Sequence, residues 1–222
     1  MRFHKTSRFA AIASVFSAVV FAGALTSHAA DYTIDGAHSD VIFKVRHMGI
    51  STVTGSFAEV SGSFNVDPKN VAATTGSAVI KVASVNTNNV KRDGHLKSDD
   101  FFNAEQYPEI KFVSKSVRNV KLSDSTADLV GDLTIRDITK EIVLKVKGTG
   151  ILAKDPWGME RAAFTASGTI NRFDYNLKWS SLLEGGGFVV APEVDLVLSF
   201  EGVRPAGAPA APAAPVKAVK KK

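Results

Sequence analysis

The chain has 222 residues, a formal net charge of +5 and no cysteine, so neither disulfides nor a lipid-modified cysteine contributes to it. Its length suits one domain of ordinary size. Removing the three positive charges of residues 1–29 and the five that follow Gly202 leaves a body with a net charge of −3. The basic balance therefore lies at the two ends and does not indicate a nucleic-acid-binding domain.

The N-terminus has the pattern of a secretory signal peptide. Three basic residues among the first eight precede an uncharged apolar run over 9–25, and small residues occupy Ser27 and Ala29. We predict cleavage after Ala29 and export to the periplasm. A retained membrane anchor is the alternative, but the apolar run is shorter than the roughly 20 residues that a spanning helix needs.

The residues between the ends alternate apolar and polar side chains with a period of two, which is typical of strands with one dry face. In the run over 161–172, for example, Phe164 and Ala166 fall on one face and Thr165 on the other. We predict a short lead strand at 32–35 and then strands at 38–48, 55–67, 76–85, 109–118, 126–136, 140–151, 161–172 and 189–201. Such a series predicts an all-β protein, either an antiparallel barrel or a sandwich.

Small residues recur on the predicted dry faces. A closed barrel of about eight strands either fills its interior with side chains or holds one small ligand, and small inward residues favour the ligand. The residues in question are Gly62, Ala78, Gly131, Ala162, Ala166 and Gly168. The alternative is a packed core, filled by Phe43, Phe64, Phe112, Phe164 and Phe200.

The longest break between predicted strands covers residues 86–108. Asn88 or Asn89 is suited to cap the start of a helix, and Leu96, Phe101 and Phe102 supply an apolar side. We predict a short helix that lies across one opening of the barrel.

Several short motifs resemble, in order and spacing, the YceI-like family of exported polyisoprenoid-binding proteins. They are Tyr-Thr-Ile-Asp at 32–35, Phe-Lys-Val-Arg-His at 43–47, Arg-Asp-Gly-His-Leu at 92–96, Asp-Phe-Phe at 100–102, Leu-Thr-Ile-Arg at 133–136 and Arg-Phe-Asp-Tyr at 172–175. The resemblance implies an eight-stranded antiparallel lipocalin-like barrel over residues 30–202. It also implies an apolar cavity for a long-chain isoprenoid, such as a quinone-like lipid, or a similar lipid.

Strand parity and the resemblance together predict the ligand-binding residues. Most of them are inward and apolar, and His47, Arg92 and His95 are expected near the mouth, where a headgroup lies. An alternative for Arg92 is an ion pair with Asp93 that attaches the helix to the barrel, and Arg172 is expected to pair with Asp174. The full predicted set is Phe43, Val45, His47, Phe64, Ile80, Arg92, His95, Phe112, Gly131, Leu133, Leu144, Phe164, Ala166 and Leu198.

Two other functions stay open at this point: an enzyme that uses His47 or His95 as a base on a lipid or amphiphile, and a packed structural or stress-protective protein. No nucleophile elbow or phosphate loop is recognisable, and His38, His47 and His95 lack short ligand spacing, so we predict no catalytic residue, metal or cofactor.

The Pro/Ala- and Lys-rich segment 203–222 is predicted to be a disordered tail. Its lysines either only solubilise the protein or make weak contact with a membrane surface. The oligomeric state stays open, a dimer included.

Overall fold

A computed structural model of the protein describes residues 30–208, so the predicted signal peptide and most of the predicted tail lie outside the described residues. Within them the chain forms a sheet of eleven strands and one α-helix. The elements are β1 Ala30–Ile34, β2 Asp40–His47, β3 Ser51–Phe57, β4 Val60–Val66, β5 Thr75–Lys81, β6 Val85–Asn86, α1 Val90–Lys97, β7 Glu109–Lys121, β8 Thr126–Ile135, β9 Ile138–Leu152, β10 Met159–Asn171 and β11 Val190–Pro205.

The eleven strands form a closed antiparallel barrel with eight staves, where a stave is either one strand or two consecutive strands that lie in line along the same neighbours. β1 and β2 form one bent stave, because both lie along β11: Ile34 pairs with Gly202, and Val41 pairs with Leu198. In the same way β3 continues into β4, and β5 continues into β6. Each stave pairs with the next in chain order, and β11 returns to the first. The prediction of an all-β, eight-stranded antiparallel barrel with a short helix is therefore confirmed.

The bends in the first three staves lie at one level of the barrel. The amide of Ala58 donates to the carbonyl of Ser84 at 3.2 Å, and the amide of Glu59 donates to Ser84 Oγ at 3.0 Å. The predicted single strand over 55–67 is wrong in this respect, since it begins at Ser51 and breaks after Phe57. The predicted lead strand is part of the barrel wall.

The predicted helix is present as α1. Its N-cap is Asn89, whose side-chain oxygen accepts a hydrogen bond from the amide of Arg92 at 3.1 Å, which satisfies a donor that the first turn leaves free. The segment after α1 buries Phe101 in the barrel core, and the rings of Phe57 and Phe102 lie 5.7 Å apart. The helix and this segment thus cover one end of the barrel, as predicted. Among the described residues, no helix is long and apolar enough to cross a membrane.

Candidate functional site

An apolar cavity of about 540 Å³ runs inside the barrel. Its wall includes residues at both ends of the staves, from Val66 and Ile151 at one end to Phe101 and Leu177 at the other. Cavities of this size are typical of small-molecule sites. The inward side chains of the barrel therefore surround a cavity and do not form a fully packed core.

The end of the barrel that carries α1 is closed. Phe101, Tyr175 and Leu177 are buried there within one continuous hydrophobic cluster. The buried guanidinium of Arg172 donates at 2.6–2.9 Å to the carbonyls of Leu177 and Trp179 in the segment between β10 and β11, and of Val190 and Ala191 at the start of β11. The expected pairing of Arg172 with Asp174 is thus absent from the hydrogen bonds of this corner, and Arg172 instead fastens the segment that closes the barrel.

The opposite end is the mouth of the cavity. Here the wall is formed by the segment 66–76, the hairpin between β7 and β8, and residues 148–151 of β9. Wall residues at this end include the exposed Leu122 and Ile151, whereas those at the closed end are buried or half-buried, with Phe101 and Leu177 among the buried ones. A ligand therefore has its route into the barrel at the mouth.

Ten of the predicted ligand-binding residues lie on the cavity wall. They come from eight strands of the sheet, which agrees with the parity argument for inward side chains. Whether they contact a ligand stays a prediction. They are Phe43, Val45, Phe64, Ile80, Phe112, Leu133, Leu144, Phe164, Ala166 and Leu198.

His47, Arg92 and His95 do not lie near the mouth, and none of them is on the cavity wall. All three belong to the closed end, because β2 ends there and α1 covers it. The prediction of their position is wrong for a topological reason: strand parity tells which side a residue faces, not which end of the barrel is open. A role in contacting a headgroup stays a prediction that this placement does not support.

The polar groups of Arg92 and its neighbour Asp93 converge on Thr87. Arg92 Nε donates to Thr87 Oγ1 at 2.7 Å and Nη2 donates to the Thr87 carbonyl at 2.7 Å. The Asp93 carboxylate accepts from the amide and the hydroxyl of Thr87. These bonds attach α1 to the wall just after β6. Arg92 therefore has the structural role given above as the alternative, but it attaches the helix through Thr87 and not through a direct ion pair with Asp93.

His95 is held by its own surroundings. Its Nε2 lies 2.7 Å from the Asp100 carboxylate, and its ring stands edge-on to Phe101 and Trp179 at centroid distances of 5.0 and 5.2 Å. The histidine therefore contributes to the packed lid of the closed end.

The predicted role of the glycines requires a correction. A Cβ at Gly131 would stand 2.3 Å from Cζ of Phe112, so the phenyl ring already lies in the space that the glycine leaves. The space beside Gly62 and Gly168 is likewise occupied by neighbouring strands. A Cβ at Gly62 would stand 2.1 Å from the Ser77 carbonyl oxygen, and one at Gly168 would stand 3.0 Å from Leu144 Cδ2. None of the three glycines lines the cavity. They do not leave room for a ligand directly.

Gly131, together with two other strand glycines, instead makes room for the ring of a phenylalanine. Phe112 covers Gly131, Phe43 covers Gly55 at 2.2 Å from a built Cβ, and Phe64 covers Gly202 at 2.5 Å. Aromatic side chains over strand glycines are a known way of packing sheets. The rings are thereby set back from the axis of the barrel, which helps to keep it open. Ala78, Ala162 and Ala166 do line the cavity, as predicted from their size.

A cluster of charged side chains lies at the bend between β1 and β2. Ligand atoms of Asp35, His38 and Glu201 come within 4.8 Å of one another, which is a spacing that a metal ion can use. Arg161, however, donates to Asp35 at 3.2 Å, to Asp155 at 2.7 Å and to Glu201. The guanidinium thus already supplies the positive charge that the carboxylates need. The cluster is an ion-pair network, and it joins β1, β10 and β11.

The pKa values of this network follow its hydrogen bonds. His38 and then Arg161 hold the pKa of Asp35 below its ordinary value, although burial opposes them. Burial also acts to raise the pKa of Asp155, but Arg161 and the amides of Met159 and Trp157 outweigh it, so the pKa is lowered. The carboxylates of Asp35 and Asp155 are therefore held in their ionised form.

The second buried polar group lies behind the wall beside Phe64. The Tyr32 hydroxyl donates to Glu160 at 2.5 Å, and Arg204 donates to the same carboxylate at 2.9 Å. Burial, reinforced by Glu160, raises the pKa of Tyr32 to about 12. Because these polar groups bond one another, the adjoining cavity surface is left apolar.

The structure defines a class of protein: a closed eight-stranded antiparallel barrel with an apolar cavity, one covered end and one mouth. The YceI-like domain model matches residues 32–202, which is nearly the whole of the described barrel. The chain belongs to the YceI-like family, and the resemblance seen in the sequence is confirmed.

Relatives and solved structures agree with this assignment. The chain is 39% identical to Protein YceI of Escherichia coli over 191 residues, covering 85% of this chain and 94% of that protein. It is 40% identical to a UPF0312 protein of Pseudomonas savastanoi over 178 residues, covering 79% of this chain and 88% of the relative. The Campylobacter jejuni YceI protein superposes with a TM-score of 0.59 at 33% identity, covering 78% and 97% of the two chains.

A more distant structure shares the fold alone. It is a polyisoprenoid binding domain from Saccharophagus degradans, with a TM-score of 0.57 and 19% identity, covering 78% of this chain and 98% of that domain.

Proposed function

We propose that this protein is exported to the periplasm, binds a long-chain isoprenoid or similar lipid inside its barrel, and acts as a carrier for it. The observation that carries the proposal is the apolar cavity, which is open at one end and extends towards the buried cluster at the other. The N-terminal charge and apolar pattern support export. A neighbour in fold that is described as a polyisoprenoid binding domain supports the ligand class.

The energetics suit a ligand without many polar groups. Each CH₂ group that leaves water contributes about 0.8 kcal/mol, so a chain of several isoprene units binds tightly through apolar contact alone. Selectivity then comes from the length and width of the cavity. A quinone-like ligand fits this pattern, with its tail inside and its ring towards the mouth.

Binding is favoured over catalysis by the position of the two histidines that an enzyme would use. His47 and His95 both lie at the closed end and off the cavity wall. A lipid in the cavity is therefore separated from both imidazoles by the side chains of the wall. We propose a binding protein and not an enzyme.

The test is to express the full chain in a bacterial host, purify it from the periplasm and extract it with organic solvent for mass spectrometry. We expect an isoprenoid lipid in substantial molar proportion to the protein. Recovery from the periplasm with a new N-terminus at Ala30 would test export in the same preparation. If nothing lipophilic is recovered and an apolar fluorescent dye does not bind, the proposal is wrong.

A matched pair of substitutions tests the site. Ala166→Leu adds three carbon atoms to the cavity wall, whereas Ala83→Leu makes the same change at an exposed position off the wall. Displacing about three CH₂ groups of ligand costs about 2.4 kcal/mol, or roughly a fiftyfold loss of affinity. We expect Ala166→Leu to reduce the lipid or select a shorter one, and Ala83→Leu to retain it. Equal lipid content in the two variants would contradict the assigned site.

A further inference from the structure

Two hairpins at the mouth expose apolar side chains to solvent. On the hairpin between β7 and β8, Leu122 is 71% exposed. On the hairpin between β9 and β10, Ile151 and Leu152 are about half exposed, and Trp157 is 79% exposed. Single exposed apolar residues are ordinary, but these four belong to the same end of one barrel, around the opening of an apolar cavity.

Basic residues accompany these apolar side chains. Lys121 precedes Leu122 and Lys154 follows Leu152 at short distance, and both lysines are exposed. Asp155 lies in the same hairpin, but its carboxylate is bonded to Arg161 and so offers little repulsion to an anion. Other acidic residues at this end include Asp124 at the tip of the other hairpin, Asp31 in β1 and Asp67 after β4.

The chain beyond the described residues continues from this same end. β11 ends at Pro205 beside the start of β10, so the segment after Ala208 leaves from the mouth end of the barrel. Its sequence contributes four further positive charges, Lys217, Lys220, Lys221 and Lys222, and no acidic residue. The hairpins at the mouth thus combine exposed apolar side chains with exposed lysines, and the described part of the chain ends at the same end of the barrel.

We infer that the mouth end docks on the surface of a bilayer with anionic headgroups, with the two hairpin tips inserted at the headgroup level. This inference rests on the proposed function, since a lipid carrier with one mouth takes its ligand from a membrane. Tryptophan favours the bilayer interface, and lysine side chains bury their stems there while the ammonium reaches water or phosphate. Apolar contact and lysine–phosphate attraction together give binding of the interfacial kind.

The closed end also exposes apolar residues, and it serves as the internal control. Met48 and Ile50 are 42% and 83% exposed on the hairpin between β2 and β3, Val90 is 88% exposed on α1, and Leu182 is 70% exposed in the segment before β11. Near them lie the exposed acidic residues Asp99 and Asp100 as well as lysines. This end has no opening into the cavity, and the inference assigns it no contact with lipid.

The two tryptophans of the chain allow each end to be observed separately, because Trp157 is at the mouth and Trp179 packs in the closed end. In the full chain with Trp179→Phe, Trp157 is the sole indole. Vesicles that contain phosphatidylglycerol are expected to shift its emission to the blue, and brominated acyl chains are expected to quench it. In the Trp157→Phe protein, Trp179 should show neither effect.

Co-sedimentation with the same vesicles measures the affinity. Leu122→Ser is expected to weaken binding by about tenfold, since part of a leucine side chain is no longer buried, whereas Ile50→Ser is expected to change it by less than about twofold. Replacing phosphatidylglycerol by phosphatidylcholine should weaken binding by about fivefold for each lysine that contacts the surface.

Three outcomes overturn the inference: no shift of Trp157 emission, equal effects of Leu122→Ser and Ile50→Ser, or a shift that depends on protein concentration without vesicles. The last would identify a second copy of the chain as the occupant. Lipid content and dye binding, measured on the same samples, separate this failure from that of the proposed function. If the protein contains lipid but does not bind vesicles, the membrane-docking inference is wrong and the proposed lipid-binding function still stands.

Discussion

Gly131 is a position at which a single added methyl group should disturb the interior of the barrel. In Gly131→Ala, the new Cβ would stand 2.3 Å from Cζ of Phe112 and 2.7 Å from the carbonyl oxygen of Val113. Carbon atoms pack favourably at about 3.5–4.0 Å, so the ring has to move by about 1 Å or more. With the wall behind it, the ring moves towards the cavity. Overpacking of this kind costs about 1–3 kcal/mol.

The assay is urea unfolding together with binding of an apolar dye. Gly131→Ala is expected to lower both the free energy of unfolding and the amount of dye bound. Gly94→Ala is the control with opposite sign, since Gly94 lies inside α1 with no atom within 4 Å of a built Cβ. Alanine there should raise the stability by about 0.5–1 kcal/mol.

A second background isolates the ring. In Phe112→Leu the phenyl group is gone, so a large part of the cost of Gly131→Ala should disappear, and the remainder reports the contact with the Val113 carbonyl. A cost that is the same in both backgrounds, or a Gly131→Ala protein as stable as the wild type, would refute the idea that the glycine accommodates the ring.

Four further predictions concern buried polar groups. Tyr175→Phe should leave the free energy of unfolding unchanged or slightly higher, because the buried hydroxyl has no hydrogen-bond partner in residues 30–208, and a loss above about 1 kcal/mol in urea would contradict this. Tyr32→Phe should cost about 1–3 kcal/mol in the same assay, since Glu160 loses a donor. Burial raises the pKa of both tyrosines to about 12 from 10.0, so stability that is present below pH 10 should fall as the pH rises towards 12, with unfolding and tyrosinate absorbance appearing together. The pKa of Asp155 is lowered in the folded protein from its ordinary value of 3.8. The wild type should therefore be more stable than Asp155→Asn above that pH, and this advantage should disappear as the pH falls through the pKa of the folded state. Urea unfolding at a series of acid pH values measures it.

The strand content of the barrel could be predicted from the sequence because one face of each strand is dry. The alternation around Phe164 and Ala166 is visible without any knowledge of the partner strands, and both residues lie on the cavity wall. The break after Phe57 was not predictable in the same way. It depends on hydrogen bonds between Ala58 or Glu59 and Ser84, which is distant in sequence.

The errors at the site have a common cause, which is that parity describes one strand at a time. Gly131 faces inward by parity, but whether its space is free depends on the Phe112 ring of the neighbouring strand. His47 and Arg92 are correctly near an end of the barrel, but which end is open depends on the segments that cover each one. The exposed apolar hairpins at the mouth had a sequence signal, namely apolar residues such as Leu122 and Trp157 beside turn residues.

The pairing of inward rings with glycines has a consequence for how this barrel changes during evolution. The width of the cavity at this level depends on two residues on different strands, so a substitution at one affects the other. A larger residue at Gly131 pushes the ring of Phe112 inward and narrows the cavity. A descendant that enlarges the glycine therefore has to shrink its partner, and a descendant that loses the ring gains width. Ligand length and width in related barrels should accordingly be inherited in coupled pairs of positions, with Phe43 and Gly55 as a second such pair.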